Sequence, residues 1–148
     1  MDITILAVGK CREKPILTLA DTYLKRLQAY GRVQVVEVPQ SPTADKESDA
    51  LLAKLSADHL VIALDEKGKR MTTRNFADFL QKNADVGRHK VAFLIGGADG
   101  HTDAVRSRAD LLLSLSDMTF PHMMVRPIVL EQIYRALSLN AGHPYHRD

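Results

Sequence analysis

Val91-Ala92-Phe93-Leu94-Ile95-Gly96-Gly97-Ala98-Asp99-Gly100 decides the fold: an unbroken apolar run stops at a cluster of glycines. A second run, Leu111-Leu112-Leu113-Ser114-Leu115-Ser116, follows and breaks at Asp117-Met118-Thr119-Phe120-Pro121-His122. A helical pattern then extends through Ile133 and Leu137, carrying Arg126, Glu131, Tyr134 and Arg135. Short apolar runs bounded by Gly or Pro read as strands buried on both faces, the mark of a parallel sheet. Glycine lets backbone approach a ligand closely because no Cβ intervenes. In open α/β sheets ligands sit beyond the carboxyl ends of the strands, where both loops fall. On its glycines alone, the loop is equally a tight strand-to-helix turn.

Outward from that stretch the pattern repeats. Ile3 to Val8 reads as a first strand ended by Gly9. Pro15 suits the first turn of a helix on which Ile16, Leu17, Leu19, Ala20, Tyr23, Leu24 and Leu27 recur, stopped by Gly31. Val33 to Val38 is a second strand closed by Pro39, and a polar loop from Ser41 to Ala44 leads into a short helix through Leu51, Leu52 and Leu55. His59 to Leu64 is a third strand running into a loop, Asp65-Glu66-Lys67-Gly68-Lys69. Thr72 or Thr73 caps a helix with Phe76, Phe79 and Leu80 on one side, and Thr102 caps one through Val105 and Ala109. Pro127 falls near the start of the final helix, where a missing N–H costs least. Strands alternating with helices predict an α/β fold, a mostly parallel sheet with flanking helices, in a single domain over 1–148. Pattern alone predicts an open doubly wound sheet, because knotted chains are rare.

Composition excludes more than it assigns. The 148 residues are 45% hydrophobic and 26% charged, ordinary for a globular chain. No apolar run approaches the roughly 18 residues that span a bilayer, and no basic leader precedes an apolar segment. Cys11 is the only cysteine, so no intrachain disulfide forms, which suits a reducing cytoplasm. A net charge of +2 does not by itself call for nucleic acid. Basic residues do cluster after two strands, at Lys10, Arg12 and Lys14 and at Lys67, Lys69 and Arg70. By themselves these read as solvated loops.

Three segments in order carry a stronger signal: Leu94-Ile95-Gly96-Gly97-Ala98-Asp99-Gly100, Leu113 to His122, and the terminal His143-Pro144-Tyr145-His146-Arg147-Asp148. Together they resemble the ribosomal large subunit methyltransferase H family, within the SPOUT class of RNA methyltransferases. Ile5-Leu6-Ala7-Val8-Gly9-Lys10 and Leu64-Asp65-Glu66-Lys67-Gly68-Lys69 are similar to it too, so the likeness covers nearly the whole chain. Two features depart from the family: Pro127 stands where an aliphatic residue is usual, and Asp45 to Asp49 matches only loosely. The resemblance implies a trefoil knot near the C-terminus whose loops form the cofactor pocket. It also implies a homodimer with that region at the interface. Ile128, Ile133 and Leu137 on the closing helix suit such an interface, or equally the interior of one chain.

The glycine loop lacks the Lys-Ser/Thr of a P-loop and is not G-x-G-x-x-G, which favours a ligand without phosphate. The resemblance implies S-adenosyl-L-methionine, held by Leu64, Gly96, Leu115, Ser116, Asp117, Met118, Thr119 and Phe120. It also names the acceptor, N3 of pseudouridine 1915 in 23S ribosomal RNA within the ribosome. That imide nitrogen carries a proton which some group must accept or replace. Candidates are His122, Arg126 and the tail residues His143, Tyr145, His146 and Arg147, and in the family the tail closes over the active site. His122 alternatively caps the final helix, and Arg126 and Arg135 read as interface or RNA contacts. His143-x-x-His146 has no third ligand of matching pattern and Pro144 prevents a regular helix, so no metal is expected. Cys11 has no His neighbour in sequence to activate it. Two other classes share some of these features: a nucleotide-binding enzyme built on the glycine loop, and a dimeric RNA-binding module without catalysis.

Overall fold

A computed structural model describes residues 1–148. Five strands, β1 (Asp2–Val8), β2 (Arg32–Val38), β3 (Leu60–Arg70), β4 (Lys90–Ile95) and β5 (Leu111–Ser114), form one sheet. Every pairing is parallel and the order is β2-β1-β4-β3-β5. Helices α1 (Lys14–Leu27), α2 (Ala44–Leu52), α3 (Thr73–Asp85), α4 (Asp103–Arg108) and α5 (His122–Asn140) connect and close it.

The apolar runs lack alternation because both faces of the sheet are covered. Ile3, Ile5, Ile62, Val91, Phe93 and Ile95 pack beneath the helices that carry Leu27, Phe76 and Leu130. Their alternates Leu6, Val8, Val61, Ala63, Ala92 and Leu94 meet Leu51 of α2 and Val105 of α4 on the other face. On the first face α5 lies between α1 and α3 and contacts both. Ile133 and Leu137 are buried in that core, and Ile128 is half-buried, so two of the three candidate interface residues belong to the interior.

Several boundaries differ from the sequence reading for identifiable reasons. α1 ends at Leu27 and a 3-10 turn over Gln28–Tyr30 precedes Gly31. α2 ends at Leu52, which leaves Leu55 outside it, and β5 ends at Ser114. Pro127 sits in the second turn of α5, inside the helix and buried, so its missing N–H leaves a gap in the ladder. Thr72 is the cap of α3 and accepts from the amide of Asn75 at 3.1 Å.

The largest difference is at Asp65 to Lys69, a loop by composition and the tail of β3 in the structure. The register to β5 shifts between Leu64 and Lys69, so that Leu113 faces both. Gly68 makes this possible. A Cβ there would lie 2.7 Å from the carbonyl carbon and oxygen of Leu112, so backbone crosses directly over backbone. The charged neighbours disguise the segment as a solvated loop.

Gly68→Ala should therefore destabilise the protein by about 1–3 kcal/mol, the usual cost of forcing atoms into filled space. Urea unfolding of parent and variant tests this, and an unchanged midpoint would contradict the crossing.

Candidate active site

Parallel strands put all their carboxyl ends on one edge of the sheet, and a cleft of about 720 Å³ opens there. Its walls are the β3 tail, the loop from Gly96 to His101 and the loop from Leu115 to Pro121. A volume of this order suits a small organic ligand. Leu64, Gly96, Leu115, Ser116, Met118, Thr119 and Phe120 all line the cleft. Asp117 does not line it; its carboxylate pairs with Arg70 at 2.6 Å, with both side chains exposed.

Short hydrogen bonds shape the second loop. The Ser114 hydroxyl donates to the Ser116 carbonyl at 3.0 Å, and the amide of Met118 donates to Ser116 Oγ at 3.0 Å. This turn leaves Met118 77% exposed with Phe120 beside it at the mouth, an apolar surface without a protein partner in the chain.

The glycine loop is tight for a reason the sequence did not reveal. A Cβ on Gly96 would sit 3.2 Å from the Gly100 carbonyl carbon, and one on Gly97 would sit 2.9 Å from Glu47 Oε1. The missing side chains make room for the protein itself, while Gly96 and Gly97 also face the cleft. Glu47 is buried on α2 and also accepts from the amide of Ser41 at 3.0 Å. Nothing in a short amphipathic helix signals that role.

Two further wall residues were missed. Asp65 is buried and accepts from Arg106 Nε at 2.8 Å and from the amide of Lys67 at 2.9 Å. Burial would raise its pKa, yet Arg106 and the Lys67 amide together hold it below the ordinary carboxylate value. His101 is buried beneath the glycine loop with Nε2 at 3.2 Å from the Leu94 carbonyl oxygen, while Nδ1 has no partner. Burial pushes its pKa below the usual 6.5, so the ring is neutral.

A family model described as "Predicted SPOUT methyltransferase" matches residues 1–146. The chain belongs to the SPOUT methyltransferases. Among curated relatives, the ribosomal RNA large subunit methyltransferase H of Paramagnetospirillum magneticum is 47% identical over 152 residues, covering 99% of each chain. The protein of the same name from Shouchella clausii is 42% identical over 159 residues, covering 99% of this chain and all of the relative. Among solved structures, the SpoU methyltransferase AviRb of Streptomyces viridochromogenes is 14% identical with a TM-score of 0.49, covering 96% of this chain and 61% of that one.

In this SPOUT chain Arg126 is neither an interface nor a surface contact. It is buried, and its guanidinium bonds Glu37 at 2.5 Å and the carbonyls of Val8 at 2.9 Å and Gly9 at 2.6 Å. It fastens the start of α5 to the carboxyl ends of β1 and β2. His122 is the first residue of α5 and lines the cleft; Pro121 occupies the cap position and no side-chain cap bond forms. Cys11 is buried and unpaired.

The tail lies outside the cleft. His143 Nδ1 meets the Tyr30 hydroxyl at 2.7 Å, and the Tyr145 hydroxyl donates to Glu131 at 3.1 Å. The Tyr145 ring packs edge-on to Tyr134 at 4.7 Å and under the Arg135 guanidinium at 4.7 Å. His146 Nε2 lies 2.7 Å from Asp148, which pairs with Arg74 at 2.8 Å. Arg147 is exposed. None of His143, Tyr145, His146 and Arg147 lines the cleft. A cavity of about 300 Å³ near the start of α3 shares Leu113, Ser114, Leu115 and Phe120 with the cleft. Burial and the bond to Glu131 raise the Tyr145 pKa, which keeps its phenol a donor. No group of three or more His, Cys, Asp or Glu is placed to hold a metal ion. No helix is long and apolar enough to cross a membrane.

The buried neutral His101 sets a pH dependence. Its folded pKa lies below the unfolded 6.5, as does that of His59, so the unfolded chain binds protons first as pH falls. Stability should decline as pH drops below about 6.5, before the carboxylates with lowered pKa begin to titrate. Urea midpoints from pH 7.5 to 5 should show this slope, and His101→Gln should flatten it. A His101→Gln slope equal to the parent's would contradict the assignment.

Proposed function

We propose that this chain is an S-adenosyl-L-methionine-dependent methyltransferase of large-subunit ribosomal RNA, acting on N3 of a pseudouridine in 23S RNA on the ribosome. It works as a homodimer in the cytoplasm, and residues 1–148 form a single SPOUT methyltransferase domain whose C-terminal segment is knotted. The observation that carries this reading is the cleft: residues named from separate motifs converge on one cavity of suitable size. Relatives at 42% and 47% identity over almost the full length carry the large-subunit methyltransferase name.

The cleft suits S-adenosylmethionine on its own chemistry. Leu64, Leu115, Met118 and Phe120 offer apolar surface for an adenosine, and the exposed backbone of both loops offers polar groups to its edge. Glu66 and Asp99 also line the cleft and suit a ligand with cationic sulfonium and ammonium groups. When bound, the cofactor supplies a methyl group on positively charged sulfur. The protein's part is to align that methyl with the acceptor nitrogen and exclude water, for which positioning supplies several kcal/mol.

The tail lies outside the cleft of its own chain, so to handle the acceptor proton it must move to that cleft or serve the cleft of a second copy. The single Tyr145 hydroxyl proton is donated to Glu131, so Tyr145 acts on the target base by ring contact, or as a donor only once that bond is exchanged. His143 and His146 carry imidazoles able to exchange a proton, and exposed Arg147 suits a phosphate contact. Partner contact for the homodimer is suited to the exposed Met118, Phe120 and Met124.

Transfer of radiolabel from S-adenosylmethionine to ribosomes, compared with isolated 23S RNA, tests the reaction and its substrate. Removing residues 143–148 should abolish transfer while leaving cofactor binding nearly intact, at a modest cost in stability from the lost His143–Tyr30 and Tyr145–Glu131 bonds and the Tyr145 packing on Tyr134. Tyr145→Phe and His146→Ala should lower turnover, with a lost general base costing about 10²–10⁴-fold. Arg147→Ala should mainly weaken ribosome binding. Parent-rate transfer by the truncated protein would remove the tail from the site.

A further inference from the structure

Two short cation pairs project from the edge of the sheet where the cleft opens. Lys10 and Arg12 flank buried Cys11 after β1, and Lys67 and Lys69 flank Gly68 in the β3 tail. Each pair straddles a residue whose backbone is fixed. The amide of Cys11 donates to Glu37 at 2.8 Å, the amide of Gly9 donates to Val38 at 2.8 Å, and Arg126 holds the Gly9 carbonyl. Gly68 is pressed against the backbone of Leu112. Rigid backbone with outward cations is a preorganised surface, which loses little entropy on binding.

The cleft edge holds the ion pairs Arg70–Asp117, Arg106–Asp65 and Arg126–Glu37, and four of its cations stand outside them. At the opposite edge Arg88 pairs with Asp110 at 3.1 Å, Arg108 with Asp110 at 3.6 Å and Lys90 with Asp58 at 3.4 Å, while Arg32 at the start of β2 is exposed and unpaired. Lys10, Arg12, Lys67 and Lys69 are exposed and form no ion pair. Glu37, the carboxylate nearest Lys10, is already engaged by Arg126 and the Cys11 amide. Lys14 opens α1, where a cation opposes the helix dipole and an incoming anion would be favoured.

We propose that the Lys10–Arg12 and Lys67–Lys69 pairs grip the phosphate backbone of the substrate RNA on the two sides of the cleft mouth, setting the target base over the cavity between them. This rests on the methyltransferase reading above. Phosphate contacts position a strand without reading its sequence, which suits a site that must hold one base while chemistry occurs. The chemistry of the surface selects a polyanion with regularly spaced charges, and the cleft between the pairs selects one that can splay a base.

The test compares parent protein with Lys10→Ala/Arg12→Ala, with Lys67→Ala/Lys69→Ala, and with Arg32→Ala/Lys82→Ala, which removes equal charge from exposed positions at the start of β2 and the end of α3. Binding of each to purified 23S RNA is measured as a function of salt, alongside calorimetry with S-adenosylmethionine and methyl transfer to ribosomes. Each cleft-edge variant should weaken RNA binding about tenfold or more and reduce the salt slope by about 1.4, since each lost contact to single-stranded RNA removes about 0.7. For the Lys10→Ala/Arg12→Ala protein, whose positions lie outside the cleft lining, KM for ribosomes should rise while kcat and cofactor affinity stay near the parent values. The Arg32→Ala/Lys82→Ala protein should behave as the parent. Unchanged RNA affinity and salt slope in the cleft-edge variants, or an equal loss in the Arg32→Ala/Lys82→Ala protein, would overturn the proposal. A parent protein that binds RNA with this pattern but transfers no methyl group would support the surface and overturn the enzymatic reading.

Discussion

The guanidinium of Arg126 is the tie on which the functional edge depends. A lone cation at that depth costs several kcal/mol in lost hydration. Here Glu37 and the carbonyls of Val8 and Gly9 offset the cost, although Nε keeps no partner. The bond set joins the start of α5 to the carboxyl ends of β1 and β2. Because α5 begins where the loop from Leu115 to Pro121 ends, the same contact fixes Pro121 and His122 at the cleft. Through Glu37 it also fixes Cys11, and with it the cations on either side.

A second constraint works from the other side of the cleft. The β3 tail crosses β5 backbone to backbone at Gly68 and so becomes a wall. Asp65, at the start of that tail, is tied to Arg106 of α4, which braces the wall against the helix that follows the glycine loop. His101 sits under that loop and Glu47 behind it. The pocket is therefore framed by buried polar groups with defined partners, and the apolar side chains that face a ligand are mounted on that frame.

The fold was legible in the sequence because uninterrupted apolar runs between Gly and Pro breaks have few other readings. The same logic hid the β3 tail. Its backbone is ordered by a crossing over Leu112, which leaves no apolar signature in Asp65-Glu66-Lys67-Gly68-Lys69. The residues expected to hold the cofactor were legible only as motifs of a family, and the cleft gathers all of them except Asp117. Arg126 was misplaced because an arginine on an amphipathic helix normally faces solvent. Glu47, Asp65 and His101 were missed for a related reason: a polar residue becomes structural through partners distant in sequence. The tail's chemistry was read from its composition, but its fastening to Tyr30, Glu131 and Arg74 is long-range and had no local signal.

The central claim is that the cleft between the glycine loop and residues 115–121 holds S-adenosylmethionine. Calorimetric titration of the cofactor into the parent protein and Gly96→Val tests it most directly. A valine there crowds the Gly100 backbone and the His101 ring and places a branched side chain in a loop that lines the cleft. The account predicts binding by the parent and loss of most affinity in the variant, with the circular dichroism spectrum still native. A folded Gly96→Val protein that binds the cofactor as tightly as the parent would contradict it.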